Sequence, residues 1–197
     1  MTKYSRLIVL AEDSRQQGFV RRYIYRLGYE RHQIQFTPLP NNRGCGEKWV
    51  RDQYAKLVQA CRSRSSRANT ALAVVIDADT DGIERRVRQL SVALEQAEQE
   101  ARRDGEAIVH LIPKRNIETW ILCLNGRSVD EQQDYSRQPG IDPLITPAAA
   151  TFYDWSRPNA NPPEHCVHRS SWLSRKSGGS SKTCRVRFWV AAVSVQS

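Results

Sequence analysis

The sequence lacks several features that identify common classes of protein. No apolar run approaches the ~18 residues that a membrane-spanning helix needs, and the amino terminus MTKYSRLIVLAED lacks the small-residue cleavage site of a secretory signal. There is no Gly-x-x-x-x-Gly-Lys loop for nucleotide phosphates, and the five cysteines include no C-x-x-C pair typical of structural zinc sites. The sequence therefore predicts a cytoplasmic protein without a membrane span, whose nucleotide energy, if it uses any, comes from a separately encoded ATPase.

The composition is that of one globular domain with a basic extension. The chain has 197 residues, of which 40% are hydrophobic and 26% charged, and its formal net charge is +9. A basic balance of this size favours an acidic partner such as nucleic acid. We predict an α/β core over residues 1–126, a linker or peripheral segment over 127–150, and a low-order basic tail over 151–197. A frameshift that begins near Val167 is an alternative explanation of the tail's composition.

Strand and helix signals alternate along the first 125 or so residues. Continuous apolar runs such as RLIVLA and ALAVVI are typical of strands that are buried on both faces of a parallel sheet. The pattern predicts a doubly wound, mainly parallel sheet of about four strands flanked by helices, with an irregular carboxyl-terminal tail. The predicted strands cover residues 6–11, 32–39, 71–76 and 107–112, and the predicted helices run from Ser14 to about Gly28, Lys48 to about Arg62, Ile83 to about Gly105 and Asn116 to Gly126.

Acidic residues follow two of the predicted buried strands. Glu12 and Asp13 come directly after the first strand, and Asp77, Asp79 and Asp81 come directly after the third. Because ligands of parallel α/β sheets bind at the carboxyl ends of the strands, we expect these acids to meet. Clustered carboxylates repel one another unless a cation lies between them, and magnesium prefers oxygen ligands. The pattern predicts a Mg²⁺ or Mn²⁺ site at Glu12, Asp77 and Asp79, with Asp13 a secondary candidate and Asp81 either another or a helix cap.

Two of these motifs resemble a known family. Glu12 in LIVLAED and Asp77-Ala-Asp79 in VVIDAD are similar to the Toprim domain of topoisomerases, primases and overcoming-lysogenization-type nucleases. The segment IPKRNIETWILCL is similar to an Asn, Glu and Trp segment in small Toprim-like proteins of prokaryotic antiviral defence. The resemblance implies magnesium-dependent phosphodiester hydrolysis of nucleic acid by Glu12, Asp77 and Asp79, with Glu118 as a further metal ligand. One departure is that Asp13-Ser14-Arg15-Gln16 replaces the Gly-rich turn that often follows the Glu of Toprim domains.

Basic residues close to the acids are candidates for binding phosphate. Phosphodiester hydrolysis requires an activated water and neutralisation of the leaving oxygen, and positive side chains beside the site bind the neighbouring phosphates. Lys114 and Arg115 follow the fourth predicted strand and are placed for that role. Arg43 lies in the glycine-containing loop NNRGCGE and is a secondary candidate for binding phosphate.

Two other functions are compatible with the same architecture. In a receiver-like signalling domain, Asp77 is the phosphoacceptor and Lys114 the switch lysine, although a receiver places that lysine after a fifth strand. In a non-catalytic partner subunit of an ATPase, the acids have no chemical role and the tail mediates assembly. Metal-dependent cleavage distinguishes the nuclease from both alternatives.

Overall fold

The computed structural model describes residues 4–39, 46–64, 69–157 and 160. In these residues a four-stranded, all-parallel sheet is flanked by five helices, which confirms the predicted α/β fold class. The strands are β1 (Arg6–Ala11), β2 (Ile34–Phe36), β3 (Thr70–Val75) and β4 (Ile108–Leu111). The helices are α1 (Ser14–Arg26), α2 (Gly46–Arg64), α3 (Ile83–Gln96), α4 (Ile117–Leu124) and α5 (Ile145–Ser156), with two short 3-10 helices at Arg31–Gln33 and Asp142–Leu144.

The order of the strands creates a crevice at the centre of the sheet. The strands lie in the order β2-β1-β3-β4, so the chain leaves β1 toward one edge and leaves β3 toward the other. Ligands of open α/β sheets bind where the connections diverge in this way, outside the carboxyl ends of the strands. In this fold that point lies between the ends of β1 and β3, where Ala11 is the register partner of Val75.

The core has two layers because alternate residues of each strand face opposite sides of the sheet. Leu7 and Val9 of β1 lie in the layer that contains α1, α4 and α5, while Ile8 and Leu10 lie in the layer with α2 and α3. All four side chains are at most 2% exposed. Burial on both faces explains why β1 and β3 are continuous apolar runs rather than alternating ones.

The helix α5 is the main element that the sequence did not predict. It begins inside the predicted peripheral segment and crosses the predicted boundary between residues 150 and 151. Its Phe152 is 2% exposed and packs on Tyr23 of α1 and Trp120 of α4, with ring centroids 4.8 and 6.1 Å apart. The ordered core therefore extends to Ser156, beyond the predicted limit at residue 126.

Helix α3 is shorter than its apolar pattern predicts. It ends at Gln96 rather than near Gly105, because Glu98 adopts a left-handed backbone conformation with a φ of 54°. The chain beyond it is held by Arg62, whose guanidinium donates to the carbonyls of Glu100 and Ala101 at 2.9 and 3.1 Å. Backbone groups that a longer helix would pair internally are thus bound by a side chain from α2.

Arg43 and the region of the alternative frameshift lie outside the described residues, and so does most of the predicted tail. Of the predicted tail, residues 151–157 and 160 are described. Within the described part of the chain, no helix combines the length and apolar character that crossing a bilayer requires.

Candidate active site

The ends of β1 and β3 bring Glu12 and Asp77 together. Both residues follow their strands closely, and the parallel register places the two chain segments side by side. The Glu12 carboxylate accepts a hydrogen bond from the backbone N–H of Asp77, with an Oε2–N distance of 3.2 Å. Gln16 on the first turn of α1 accepts from the Glu12 backbone N–H at 2.8 Å, which fixes the chain at this position. Two acids that are 65 positions apart in sequence therefore meet at the crevice.

Asp77 is a buried acid with an unsatisfied oxygen. The residue is 7% exposed, and its Oδ1 is inaccessible to solvent and has no hydrogen-bond partner in the described structure. Burial, followed by the nearby Glu12 charge, raises the pKa of Asp77 well above its ordinary value. A buried polar atom without a partner is rare in folded proteins and costs about 1–3 kcal/mol. Such an atom at the end of a strand is a candidate ligand atom rather than a packing group.

Glu12 has a perturbed pKa for similar reasons. Burial, together with the charges of Asp79 and Asp13, raises the pKa of its carboxyl to about 7, against the opposing effects of the hydrogen bond from Asp77 and the charge of Arg86. The first residue of α2, Gly46, packs directly against the Glu12 side chain, since a Cβ at Gly46 would lie 2.5 Å from Glu12 Cγ. Glu12 is therefore confined between α2 and β3, and at neutral pH it exchanges readily between its charged and neutral forms.

Asp79 lies at the edge of the cluster in a strained backbone conformation. Its φ is 49°, and its side chain is about half exposed. The segment is anchored because Ala78 N–H donates to the Pro113 carbonyl at 2.9 Å and Asp79 N–H donates to the Arg115 carbonyl at 3.0 Å. Burial of the Asp79 carboxyl raises its pKa despite the proximity of Arg86. Left-handed non-glycine residues cost about 1–3 kcal/mol and concentrate at functional sites.

Arg86 is a residue of the site that sequence reasoning missed. It is 0% exposed, and its guanidinium donates to the Asp77 carbonyl at 2.8 Å and to the Gln89 side chain at 2.7 Å. It also pairs with Glu47 of α2 at 2.9 Å and reaches Asp79 at 3.5 Å. One buried cation thus joins the end of β3 to α2 and α3. A charged residue on a helix ordinarily predicts solvent exposure, and the one signal against this is the position of Arg86 between Ile83 and Leu90 at the edge of the apolar face.

Glu118 is close to the acidic pair but has a different partner. It is buried in the first turn of α4, and Arg15 binds its carboxylate at 2.8 Å. The same guanidinium binds Asp142 at 3.0 Å and the Ser136 carbonyl at 2.8 Å. The negative charge of Glu118 is therefore neutralised within the protein. The Asn116 cap of α4 is confirmed, since its side chain accepts from the Thr119 backbone N–H at 3.2 Å.

The remaining candidates have structural partners. Asp13 is the N-cap of α1 and accepts from Gln16 N–H at 2.8 Å, so the cap is this residue and not Ser14. Asp81 was a candidate cap, but the N-cap of α3 is Gly82 with no side-chain capping bond. The Asp81 carboxylate instead pairs with Arg85 at 3.2 Å and accepts from Gln89 at 3.2 Å.

The two predicted phosphate-binding residues, Lys114 and Arg115, have different surroundings in the structure. Lys114 pairs with Glu131 at 2.9 Å, so its ammonium group already has a carboxylate partner. Arg115 has no ion pair among the described residues. It lies near enough to Asp79 for its positive charge to oppose the rise in the pKa of that carboxyl. Of the two basic residues, Arg115 is therefore the one placed to meet an incoming anion at the acidic cluster.

The carboxylates at the strand ends fit a cation that has only some of its ligands from the protein. No group of three or more His, Cys, Asp or Glu side chains arranged to hold a metal ion occurs in the described part of the chain. The structure instead offers Glu12 and the unsatisfied Oδ1 of Asp77, with Asp79 beside them. Magnesium is usually bound by one or two carboxylates, with water and substrate phosphate completing its shell. These residues fit magnesium or manganese in that sense and do not form a closed structural site.

Comparison with known proteins finds no relative. No family model, no curated protein and no solved structure matches this chain.

Proposed function

We propose that this protein hydrolyses phosphodiester bonds of nucleic acid with the help of Mg²⁺ or Mn²⁺. The observation that carries the proposal is the contact of Glu12 with the Asp77 backbone beside the unsatisfied Asp77 Oδ1, at the strand ends where such sheets bind ligands. The resemblance of these motifs to Toprim domains supports the same chemistry and a role in prokaryotic antiviral defence. The net charge of +9 agrees with a polyanionic substrate.

Each residue has a role that follows from its position. Glu12 and Asp77 would hold the cation, with the half-exposed Asp79 beside them as a third candidate ligand. A bound divalent ion would supply an activated water and would neutralise charge on the leaving oxygen. Arg115 binds a phosphate flanking the reacting bond, and Lys114 joins it if Glu131 is displaced.

Arg86 is a positioning residue in this scheme. It touches the Asp77 carbonyl rather than a reacting atom, so it acts by holding the end of β3 in place. Glu118 has a similar indirect role because its carboxylate is bound by Arg15. Glu118 would serve as a direct metal ligand only if Arg15 released its carboxylate.

The receiver alternative is less well supported by the geometry. The proposed switch lysine, Lys114, pairs with Glu131. We also propose a cytoplasmic location and a separately encoded ATPase partner.

The test is cleavage of plasmid DNA and structured RNA with Mg²⁺, Mn²⁺ or EDTA. We expect cleavage by the unmodified protein with either metal. Glu12→Gln and Asp77→Asn should each lower the cleavage rate more than about 100-fold, because mutating even the residues that hydrogen-bond a metal's ligands lowers activity about 10–100-fold. Glu84→Gln, which removes an exposed acid of α3, is the matched control and should retain activity. Circular dichroism of each variant establishes that it is folded.

Three outcomes would count against the proposal. Full activity of both site variants would show that these carboxylates are not the site, and cleavage that persists in EDTA would exclude a metal requirement. An acid-labile phosphate on Asp77 after incubation with acetyl phosphate, without any cleavage, would favour the receiver instead.

A further inference from the structure

One side of α1 forms an open basic groove next to the candidate active site. The groove has a volume of about 360 Å³ and lies between α1 and the start of α5. Three arginines of α1 line it, namely Arg15, Arg21 and Arg22, together with a single acid, Asp142. Since Arg15 already binds Asp142 and Glu118, the two remaining arginines give the groove its positive charge.

Arg21 and Arg22 are held in place without a carboxylate partner. The Arg22 guanidinium donates to Thr146 Oγ1 of α5 at 2.6 Å and to the Gly18 carbonyl at 3.0 Å. The Arg21 guanidinium lies 4.5 Å from the centre of the Phe36 ring, in a cation-π contact. Neither arginine has an ion pair with any acid in the described ranges. Preorganised guanidinium groups with unused donors are the usual means of binding phosphate.

The position of the groove relates it to the acidic pair. Helix α1 starts two residues after Glu12, and Arg22 lies eight residues after Ser14. At a rise of about 1.5 Å per residue, the arginines are roughly 12 Å along the helix from its start. A nucleic acid strand advances about 3.4 Å per nucleotide in a duplex. A strand that runs along α1 from a scissile phosphate at Glu12 and Asp77 would therefore have its phosphates roughly three to four nucleotides away over this groove.

We propose that Arg21 and Arg22 bind the phosphate backbone of the nucleic acid substrate beside the bond that is cut. This inference rests on the proposed nuclease function and adds the surface along which the substrate lies. The guanidinium groups of the groove would bind the negative charge of the phosphates. Contacts to phosphate position a strand but do not depend on its bases. Binding through this surface is therefore independent of sequence and strongly dependent on salt.

The inference is tested by binding in EDTA, so that cleavage cannot contribute. Fluorescence anisotropy with labelled DNA and RNA duplexes of mixed sequence is measured over a series of salt concentrations for the full chain. Each lost phosphate contact should weaken binding about five- to tenfold near 0.1 M salt and reduce the slope of log K against log salt by about 1. Arg21→Gln and Arg22→Gln should each show this change, and the double variant should show both.

Two controls make the result specific to the groove. Arg88→Gln removes an exposed arginine of α3, on the other face of the sheet, and should leave binding unchanged. Arg22→Lys keeps the charge and should restore most of the affinity, which separates lost charge from a lost contact to Thr146. A thermal melt of each variant checks that α1 and α5 remain packed.

The inference fails if Arg21→Gln and Arg22→Gln bind both duplexes as tightly as Arg88→Gln, or if the unmodified protein binds neither duplex at low salt. It also fails if the variants instead lose binding to phosphatidylserine vesicles while their affinity for nucleic acid is unchanged. Binding that depends on the groove, in a protein that cleaves nothing with metal present, would uphold this surface and overturn the nuclease proposal. The two ideas can therefore be distinguished.

Discussion

Replacing Glu12 by glutamine is expected to change how the stability of the metal-free protein depends on pH. Burial raises the pKa of Glu12 from 4.5 to about 7, so the folded protein holds its proton more tightly than the unfolded chain does. The stability contributed by the protonated group is therefore fully present below about pH 4.5 and is lost as the pH rises through about 7. Glutamine is neutral at every pH and does not undergo this loss.

The size of the effect follows from the shift in pKa. One pKa unit corresponds to about 1.36 kcal/mol, so the change from 4.5 to about 7 corresponds to about 3 kcal/mol. We expect Glu12→Gln to match the wild-type protein near pH 4.5 and to exceed it by about 3 kcal/mol above pH 7. For a domain of this size that difference raises the melting temperature by about 6–12 °C.

Urea denaturation in EDTA at a series of pH values, followed by circular dichroism, measures this difference. The comparison of two proteins is needed because partly buried His110, whose pKa desolvation lowers to about 3, contributes in the opposite direction between about pH 3 and 6.5. That contribution is the same in both proteins and cancels. A difference in free energy of unfolding that stays constant with pH, or that shrinks as the pH rises, would refute the reasoning. Saturating Mg²⁺ at about pH 8 should stabilise the wild type by about 2–3 kcal/mol and leave Glu12→Gln nearly unchanged.

Two substitutions outside the acidic pair test how the site is supported. Arg86→Lys should lower the free energy of unfolding by about 2–3 kcal/mol, since lysine cannot reproduce the bonds of this buried guanidinium to the Asp77 carbonyl and to Glu47. Urea denaturation checks this value, and a loss under about 0.5 kcal/mol, the range of ordinary surface substitutions, would contradict it. Gly46→Ala should lower the free energy of unfolding by about 1–3 kcal/mol, because the new Cβ would lie 2.5 Å from Glu12 Cγ and 3.1 Å from the Glu12 carbonyl oxygen. A gain in stability, as helix propensity alone predicts for alanine, would show that Glu12 moves aside freely.

The central strands and the meeting of the acids were predictable because they depend on local pattern and parallel geometry. The predicted residues 6–11 are those of β1, and the predicted 71–76 differs from β3 by one residue at each end. Both strands are buried on two faces, so every position after their first residues, Arg6 and Thr70, is apolar. The edge strand β2 has only one neighbour, and it is three residues long where the alternation over 32–39 predicted eight.

The features that were missed depend on partners far away in the chain. Arg15 and Glu118 are 103 positions apart, so neither residue indicates that it neutralises the other. Arg86 lies three residues after Ile83 and four before Leu90, at the edge of the apolar face of α3, but its pairing with Glu47 of α2 is not indicated by the sequence. Helix α5 has alanines and threonines in place of a strong apolar stripe, and it has no side-chain cap that would mark its start. Its helical state is stabilised by packing of Phe152 rather than by local signals.

The crowding of acids at the crevice means that this protein is less stable with its site than it would be without it. Asp77 keeps an oxygen without a partner, Glu12 remains protonated well above its ordinary range, and Asp79 retains a left-handed backbone. A neutral residue at either strand end would relieve strain or repulsion and leave the sheet intact. Mutational drift in a lineage that no longer used the site would therefore erase these acids first, and screening libraries for thermostability alone would select inactive proteins. Retention of all three acids in divergent copies would be a sign of selection on chemistry rather than on folding.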